Sequence, residues 1–300
     1  MAPMNTGILL AITTYVIWGL FPIYFHWLAS IAPLRVVAAR IVSSFILLLV
    51  LGWVFPGPRR TPRSGFHART VLIYSIAALL ISSNWLVFIW AVQHHAIIET
   101  SLGYFMNPLL SVLMGVLWFK ESLRKGQWIA IALAGLGVLY LTWVYGRPPW
   151  IALILAISFA LYGLVKKQAP LDPTRGLTLE TGLLFIPALW YLAVSPGVPL
   201  GDLSPSLQAL LVASGIVTAV PLWMFANAAQ RIPLALLGMF QYITPIMQFL
   251  VGVALYREPF SRTDGIGFGM IWLALALFMA ESLLWTRAQS ITKRDSPGCV

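Results

Sequence analysis

Long apolar runs alternate with short polar breaks along the whole chain, and most of the charge sits in the breaks. A helix needs roughly 18 or more apolar residues to cross hydrocarbon. The runs predict ten membrane spans, at 8–28, 35–55, 70–92, 97–119, 127–145, 149–167, 177–195, 207–229, 234–256 and 265–285. A transmembrane β-barrel would instead show alternating segments of about ten residues. Residues 1–7 hold no Lys or Arg, and the first run is too long for the apolar region of a cleaved signal, so it reads as the first membrane helix. Pro22, Pro108, Pro187, Pro221 and Pro245 fall inside spans, where neighbouring helices can satisfy the freed carbonyls. Ala130, Ala134, Gly135 and Gly137 are small enough to let helices approach closely.

The pattern is densest in 83–108. An apolar run with Trp85, Phe88 and Trp90 turns polar at Gln93, His94 and His95. After a short apolar step come Glu99, Thr100 and Ser101, and a second run carries Tyr104, Asn107 and Pro108. Polar groups at membrane depth are costly and usually face a cavity or a partner. This hairpin therefore reads as part of a solute pathway.

Composition narrows the class. The chain is 60% hydrophobic and 9% charged, against about 25% charged in an average soluble domain, which excludes soluble globular folding. The net charge of +10 does not point to nucleic acid, because the basic residues lie in clusters between spans. One set of breaks holds Arg59, Arg60, Arg63, Arg69, Lys120, Arg124, Lys125, Lys166, Lys167, Arg175, Arg231, Arg287, Lys293 and Arg294. The alternate set holds Arg35, Arg147, Arg257 and Arg262. The positive-inside bias puts the first set, and both termini, in the cytoplasm. The single cysteine, Cys299, permits no intrachain disulfide.

The chain also repeats itself. The stretch from Pro108 to Val116 answers that from Pro245 to Val253, and Phe119-Lys120-Glu121 answers Tyr256-Arg257-Glu258, at a constant offset of 137 residues. Two five-span halves, 1–146 and 147–300, follow. An odd number of spans inserts the second copy upside down, the inverted-repeat design of many secondary transporters.

Several motifs carry a family resemblance: Asn84-Trp85-Leu86, Phe88 to Val92, His94-His95, Glu99, Ser101 to Phe105, and Asn107-Pro108-Leu109. Tyr15 to Gly19, Ser158 to Lys167, and Phe240 to Ile243 with Pro245 add to it. The chain resembles, over nearly its whole length, the RarD-type permeases of the drug/metabolite transporter (EamA-like) superfamily. The resemblance implies an all-α integral membrane fold of ten transmembrane helices in two inverted five-helix repeats, set in the inner membrane. The family pattern places an acidic residue and a histidine ahead of the arginine of span 2, where this chain has Arg35 and Ala39.

The candidate substrate-binding residues are Trp18, Asn84, Trp85, Trp90, Tyr104, Asn107, Tyr162, Trp223, Gln241 and Tyr242, polar or aromatic groups within apolar runs. They place the cavity among spans 1, 3, 4, 6, 8 and 9, since spans 2, 5, 7 and 10 are mostly aliphatic. Glu99, His94 and Arg40 are the candidate coupling residues. Glu99 reads either as a proton-titrating group or as a helix N-terminal carboxylate favoured by the dipole. Arg40 reads either as a carboxylate-binding cation or as a side chain snorkelling to the headgroups. Glu180 and Glu281, near cytoplasmic span ends, read as snorkelled or capping groups. His94, His95 and Glu99 lack the further ligands a zinc site needs, so no metal and no cofactor is expected. Trp53, Trp128, Trp143, Trp150 and Trp285 near span ends read as interfacial anchors.

No phosphate-binding loop, HExxH or GxSxG motif is present, which argues against a pump or a hydrolase. The reading is a secondary transporter that exports small organic metabolites or drugs, with proton coupling as its expected energy source. An integral-membrane sensor or enzyme is the alternative; the inverted repeat favours the transporter. The expected partners are a small-molecule substrate and the lipid bilayer, with no nucleic acid, and the chain acts as a monomer or homodimer.

Overall fold

A computed structural model describes residues 2–54, 67–120, 123–171, 173–229, 231–232 and 240–294. Arg59, Arg60, Arg63, Glu121, Cys299 and the start of the expected span 234–256 lie outside the described residues. The described chain is helical, with no strand among those residues. In lipid the backbone must satisfy its own polar groups, and a helix does so within one segment.

Eleven α-helices are described: α1 (Ala2–Gly19), α2 (Phe21–His26), α3 (Pro33–Val54), α4 (Ala68–Gln93), α5 (Ile97–Phe119), α6 (Lys125–Tyr145), α7 (Trp150–Lys167), α8 (Pro173–Val194), α9 (Pro205–Ala229), α10 (Ile243–Leu250) and α11 (Arg262–Arg294). A π-helical turn, Val251–Leu255, prolongs α10. Eight apolar stretches are long enough to span a bilayer, while Trp150–Lys166 and Ile243–Leu255 are shorter. The first span is broken at Leu20, with Pro22 inside the first turn of α2, where a missing N–H costs nothing.

The helix pairings carry the internal symmetry. Exchanging α1/α2, α3, α4, α5 and α6 with α7, α8, α9, α10 and α11 turns the α5–α7 pair into α10–α1, α4–α7 into α9–α1, and α3–α9 into α8–α4. The pairs α3–α8, α5–α10 and α6–α11 map onto themselves. The copies run in opposite senses. The start of α7 meets the start of α5, where the Ile151 amide donates to Glu99. Gly7 of α1 instead packs on Arg231 and Ile232, ahead of α10, at the other end. The repeated aromatic–basic–Glu corner is also the same in backbone conformation: Lys120 has φ 54° and Arg257 has φ 52°. Side chains seldom adopt this left-handed region, so two such residues 137 positions apart mark one turn used twice.

Packing follows side-chain size. A β-carbon on Gly137 would meet Ile271 at 3.0 Å, and one on Gly267 would meet Leu141 at 2.4 Å, so α6 and α11 touch through their glycines. Ala130 and Ala134 are buried on the same α6 face, whereas Gly135 faces open space and takes no part in the approach. The outward faces are apolar, and Trp53, Trp128 and Trp143 lie exposed near span ends as interfacial anchors do. Trp150 differs: its ring tilts against Trp90.

Candidate functional site

The interior holds a cation in an aromatic cage. Arg40 of α3 is 3% exposed and points into the bundle beside buried Val36, Val37 and Ile41. Its Nε donates to Thr218 Oγ1 of α9 at 2.6 Å, and Thr218 Oγ1 donates in turn to the Ser214 carbonyl at 2.7 Å. The guanidinium carbon lies 4.0 Å from the ring centre of Trp85, 5.3 Å from Phe25 and 5.6 Å from Phe21, and such cation–π contacts offset part of the lost hydration. Phe88 continues the wall, 6.1 Å from Phe25 and 5.9 Å from Tyr104. Tyr24, edge-on to Phe25, donates to the Leu210 carbonyl. Helical spacing builds the cage: Phe21 and Phe25 lie four apart on α2, and Trp85 and Phe88 three apart on α4.

A second polar centre lies toward the end that carries the basic clusters. Glu180 of α8 is 1% exposed and accepts from Lys166 Nζ at 2.6 Å and from the Tyr162 hydroxyl at 3.1 Å. Lys166 also lies 5.1 Å above the ring of Tyr74. Glu180 and Trp85 both line one small void of about 10 Å³, with Ile41, Ala78, Ile81, Leu177, Thr181 and Leu184 around it.

The opposite end is tied by backbone contacts. Glu258 accepts from the amides of Ile97 and Ile98 at 2.7 and 2.8 Å, capping α5. Gln93 donates to the carbonyls of Leu28 and Ile31, and Arg35 Nη2 to that of Val198 at 2.9 Å.

Several expectations are corrected by this geometry. Arg40 does not snorkel; it is enclosed by four helices. The α3 and α8 spans, expected to be aliphatic bystanders, supply Arg40 and Glu180. Glu180 is neither snorkelled nor a cap but one half of an ion pair, whereas Glu281 pairs with Arg124 at a half-exposed site. Glu99, for which a helix-terminal carboxylate is one of two readings, accepts from the Ile151 amide at 3.1 Å, at the start of α7 rather than of its own helix. His94 stacks on Trp90 at 4.2 Å and bonds the Trp90 carbonyl through Nδ1, so both rings belong to the end of α4. Trp90 lines a groove with Leu34, Leu86, Val87 and Trp150, of which Arg40 is not part. Asn84 spends its amide on the Leu155 carbonyl and Ser158, pinning α4 to α7. Trp223 is 54% exposed and belongs to the outer stripe of α9 with Val212, Ile216 and Val220.

Of the remaining candidates, Trp85 and Tyr104 lie in the Arg40 cage and Tyr162 in the Glu180 cluster. Asn107, one turn along α5 from Tyr104, is buried, and its Oδ1 has no hydrogen-bond partner among the described residues. Trp18 packs between Tyr15 and Phe225, and its carbonyl accepts from Gln248. Gln241 and Tyr242 sit in the turn before α10, Tyr242 against the α5–α11 core. The reading of single residues missed Phe21, Tyr24, Phe25, Lys166, Thr218 and Glu258. The spacing of Phe21 and Phe25 was the available signal; the long-range partners carried none. No group of three metal-ligating residues occurs among the described residues.

Comparison with known proteins agrees with the fold. The EamA-like transporter family matches residues 5–143 and again residues 148–280. The chain is 40% identical over 297 residues to the transporter YojE of Bacillus subtilis, covering 96% of this chain and 98% of that one. It is 39% identical over 293 residues to protein RarD of Escherichia coli, covering 95% and 97%. It is 31% identical over 294 residues to the chloramphenicol-sensitive protein RarD of Pseudomonas aeruginosa, covering 95% and 97%. A crystal structure of a protein 19% identical shares the fold, with a TM-score of 0.58 over 91% of this chain and 97% of that one.

Proposed function

Because the chain belongs to the EamA-like transporter family, a family of membrane transporters, we propose that it exports small organic solutes across the bacterial inner membrane by alternating access. The observation that carries this reading is the Arg40 cage. It lies inside the bundle and takes its walls from both copies: Arg40, Trp85 and Tyr104 from the first, Thr218 from the second. A site between two oppositely running copies can be opened to either face by rocking one copy against the other. The moving units are residues 1–146 and 147–300, with both termini in the cytoplasm. The Lys166, Arg175 and Arg124 end of the bundle supports that orientation through the charge rule.

Proton coupling is assigned to Glu180 rather than Glu99. Glu180 is a buried carboxylate held by a lysine and a tyrosine, and it lines the same small void as Trp85 of the cage wall. Protonation of Glu180 cancels its attraction to Lys166 and loosens α7 from α8, two helices of the second copy. Tyr162 and Tyr74 are the other titratable groups facing this pair. Glu99, by contrast, is committed to the α7 N-terminus.

The test is reconstitution of the purified chain in liposomes with an imposed pH gradient and a panel of labelled organic solutes. The expected result is saturable, gradient-dependent movement of at least one solute, with counterflow when the other side is preloaded. Flux indistinguishable from that of empty liposomes across the panel would contradict the reading.

A further inference from the structure

The Arg40 cage, read above as the solute site, also constrains the charge of the solute. A guanidinium carries five N–H donors in a planar fork. Arg40 makes one hydrogen bond among the described residues, from Nε to the neutral hydroxyl of Thr218. The ion pairs among those residues lie elsewhere, at Arg124–Glu281 and Lys166–Glu180. The other groups around Arg40 are rings and phenols: Phe21, Phe25, Trp85, Tyr24 and Tyr104. A buried charge with no counter-ion is costly, and the rings offset only part of that cost. The unused edge of the fork matches the two oxygens of a carboxylate.

We propose that the Arg40 cage takes organic monoanions, a carboxylate on a planar apolar body. The carboxylate meets the free edge of the Arg40 fork, and the body packs among Trp85, Phe88 and Tyr104. An ammonium group has no place there. Glu180, which lines a small void with Trp85, is already held by Lys166 and Tyr162. The cage therefore discriminates against amines and against zwitterions. This proposal rests on the transporter reading for its meaning, but its test does not need transport.

The test titrates the purified full chain in detergent with benzoate, benzamide, benzylamine and inorganic phosphate, following tryptophan fluorescence and thermal stabilisation. Benzoate and benzamide have nearly one shape and differ in charge; benzylamine reverses the charge, and phosphate lacks the ring. Benzoate is expected to bind at least about tenfold more tightly than each of the others, as a charge-assisted fork demands. Arg40→Lys keeps the charge and loses the fork, and should weaken benzoate about tenfold; Arg40→Met should remove the preference over benzamide. If an Arg40 variant fails to fold, Trp85→Leu serves: it should weaken benzoate more than acetate. Equal binding of benzoate and benzamide, tighter binding of benzylamine, or benzoate binding unchanged in Arg40→Met would overturn the proposal. Arg40-dependent benzoate binding without any liposome flux would overturn the transporter reading and leave this one. Flux of neutral or cationic solutes without benzoate binding would do the reverse.

Discussion

At the residue scale Arg40, Glu180 and Glu99 have three different jobs. Glu180 and Lys166 form a pair that is buried on the acid side and a quarter exposed on the lysine side. Glu180→Gln should leave Lys166 partly uncompensated and lower stability by about 2 kcal/mol, less than for a fully buried pair. It should also abolish gradient-driven accumulation while leaving solute exchange, measured in the same liposomes. Loss of both together would assign Glu180 to structure alone. Glu99 should behave differently. Glu99→Ala should cost about 1 kcal/mol as a lost cap, and Glu99→Gln should keep the wild-type pH dependence of flux. A shifted profile in that variant would return Glu99 to the coupling role expected from sequence. The polarity of these positions was legible: Arg40, Trp85, Tyr104 and Tyr162 stand out in apolar runs. Their partners were not, because the pairs Arg40–Thr218 and Glu180–Lys166 depend on how helices are apposed, which hydropathy does not encode. Trp223 was misplaced for the same reason, since only packing tells the inner stripe of α9 from the outer one.

At the element scale, chain breaks were well marked by proline and charge, and internal bends were not. The first run splits at Leu20 because Pro22 begins a new helix, and the run around Pro245 ends in a π-turn. The α6–α11 contact offers the cleanest test of helix packing. Gly267→Val would drive new atoms into Leu141, which lies within 2.4 Å of the β-carbon position. Overpacking of this kind should destabilise the protein by about 1–3 kcal/mol. Leu141→Ala in the same chain should recover part of that loss, seen as a higher melting temperature for the double variant than for Gly267→Val alone. Additive losses would mean the two helices do not meet there. The sequence marked Gly135 and Gly137 alike as approach residues, but only Gly137 meets α11, while Gly135 faces open space.

At the scale of the whole molecule, the 137-residue register anticipated both the exchange of helix pairs and the shared left-handed corner at Lys120 and Arg257. The orientation in the membrane rests on charge bias. In a Cys299→Ser background, Ser204→Cys should react with an impermeant thiol reagent on intact cells, and native Cys299 in the parent chain should react only after permeabilisation. The reverse pattern would invert the topology. The central claim is that one interior site, at Arg40, is reached from both faces in turn. Its most direct measurement places a single cysteine beside the guanidinium, Thr218→Cys in the Cys299→Ser background, in oriented membrane vesicles. The account predicts modification by an impermeant thiol reagent from either face, with benzoate slowing both reactions. A cysteine that reacts from one face alone, whatever gradient is imposed, would contradict it.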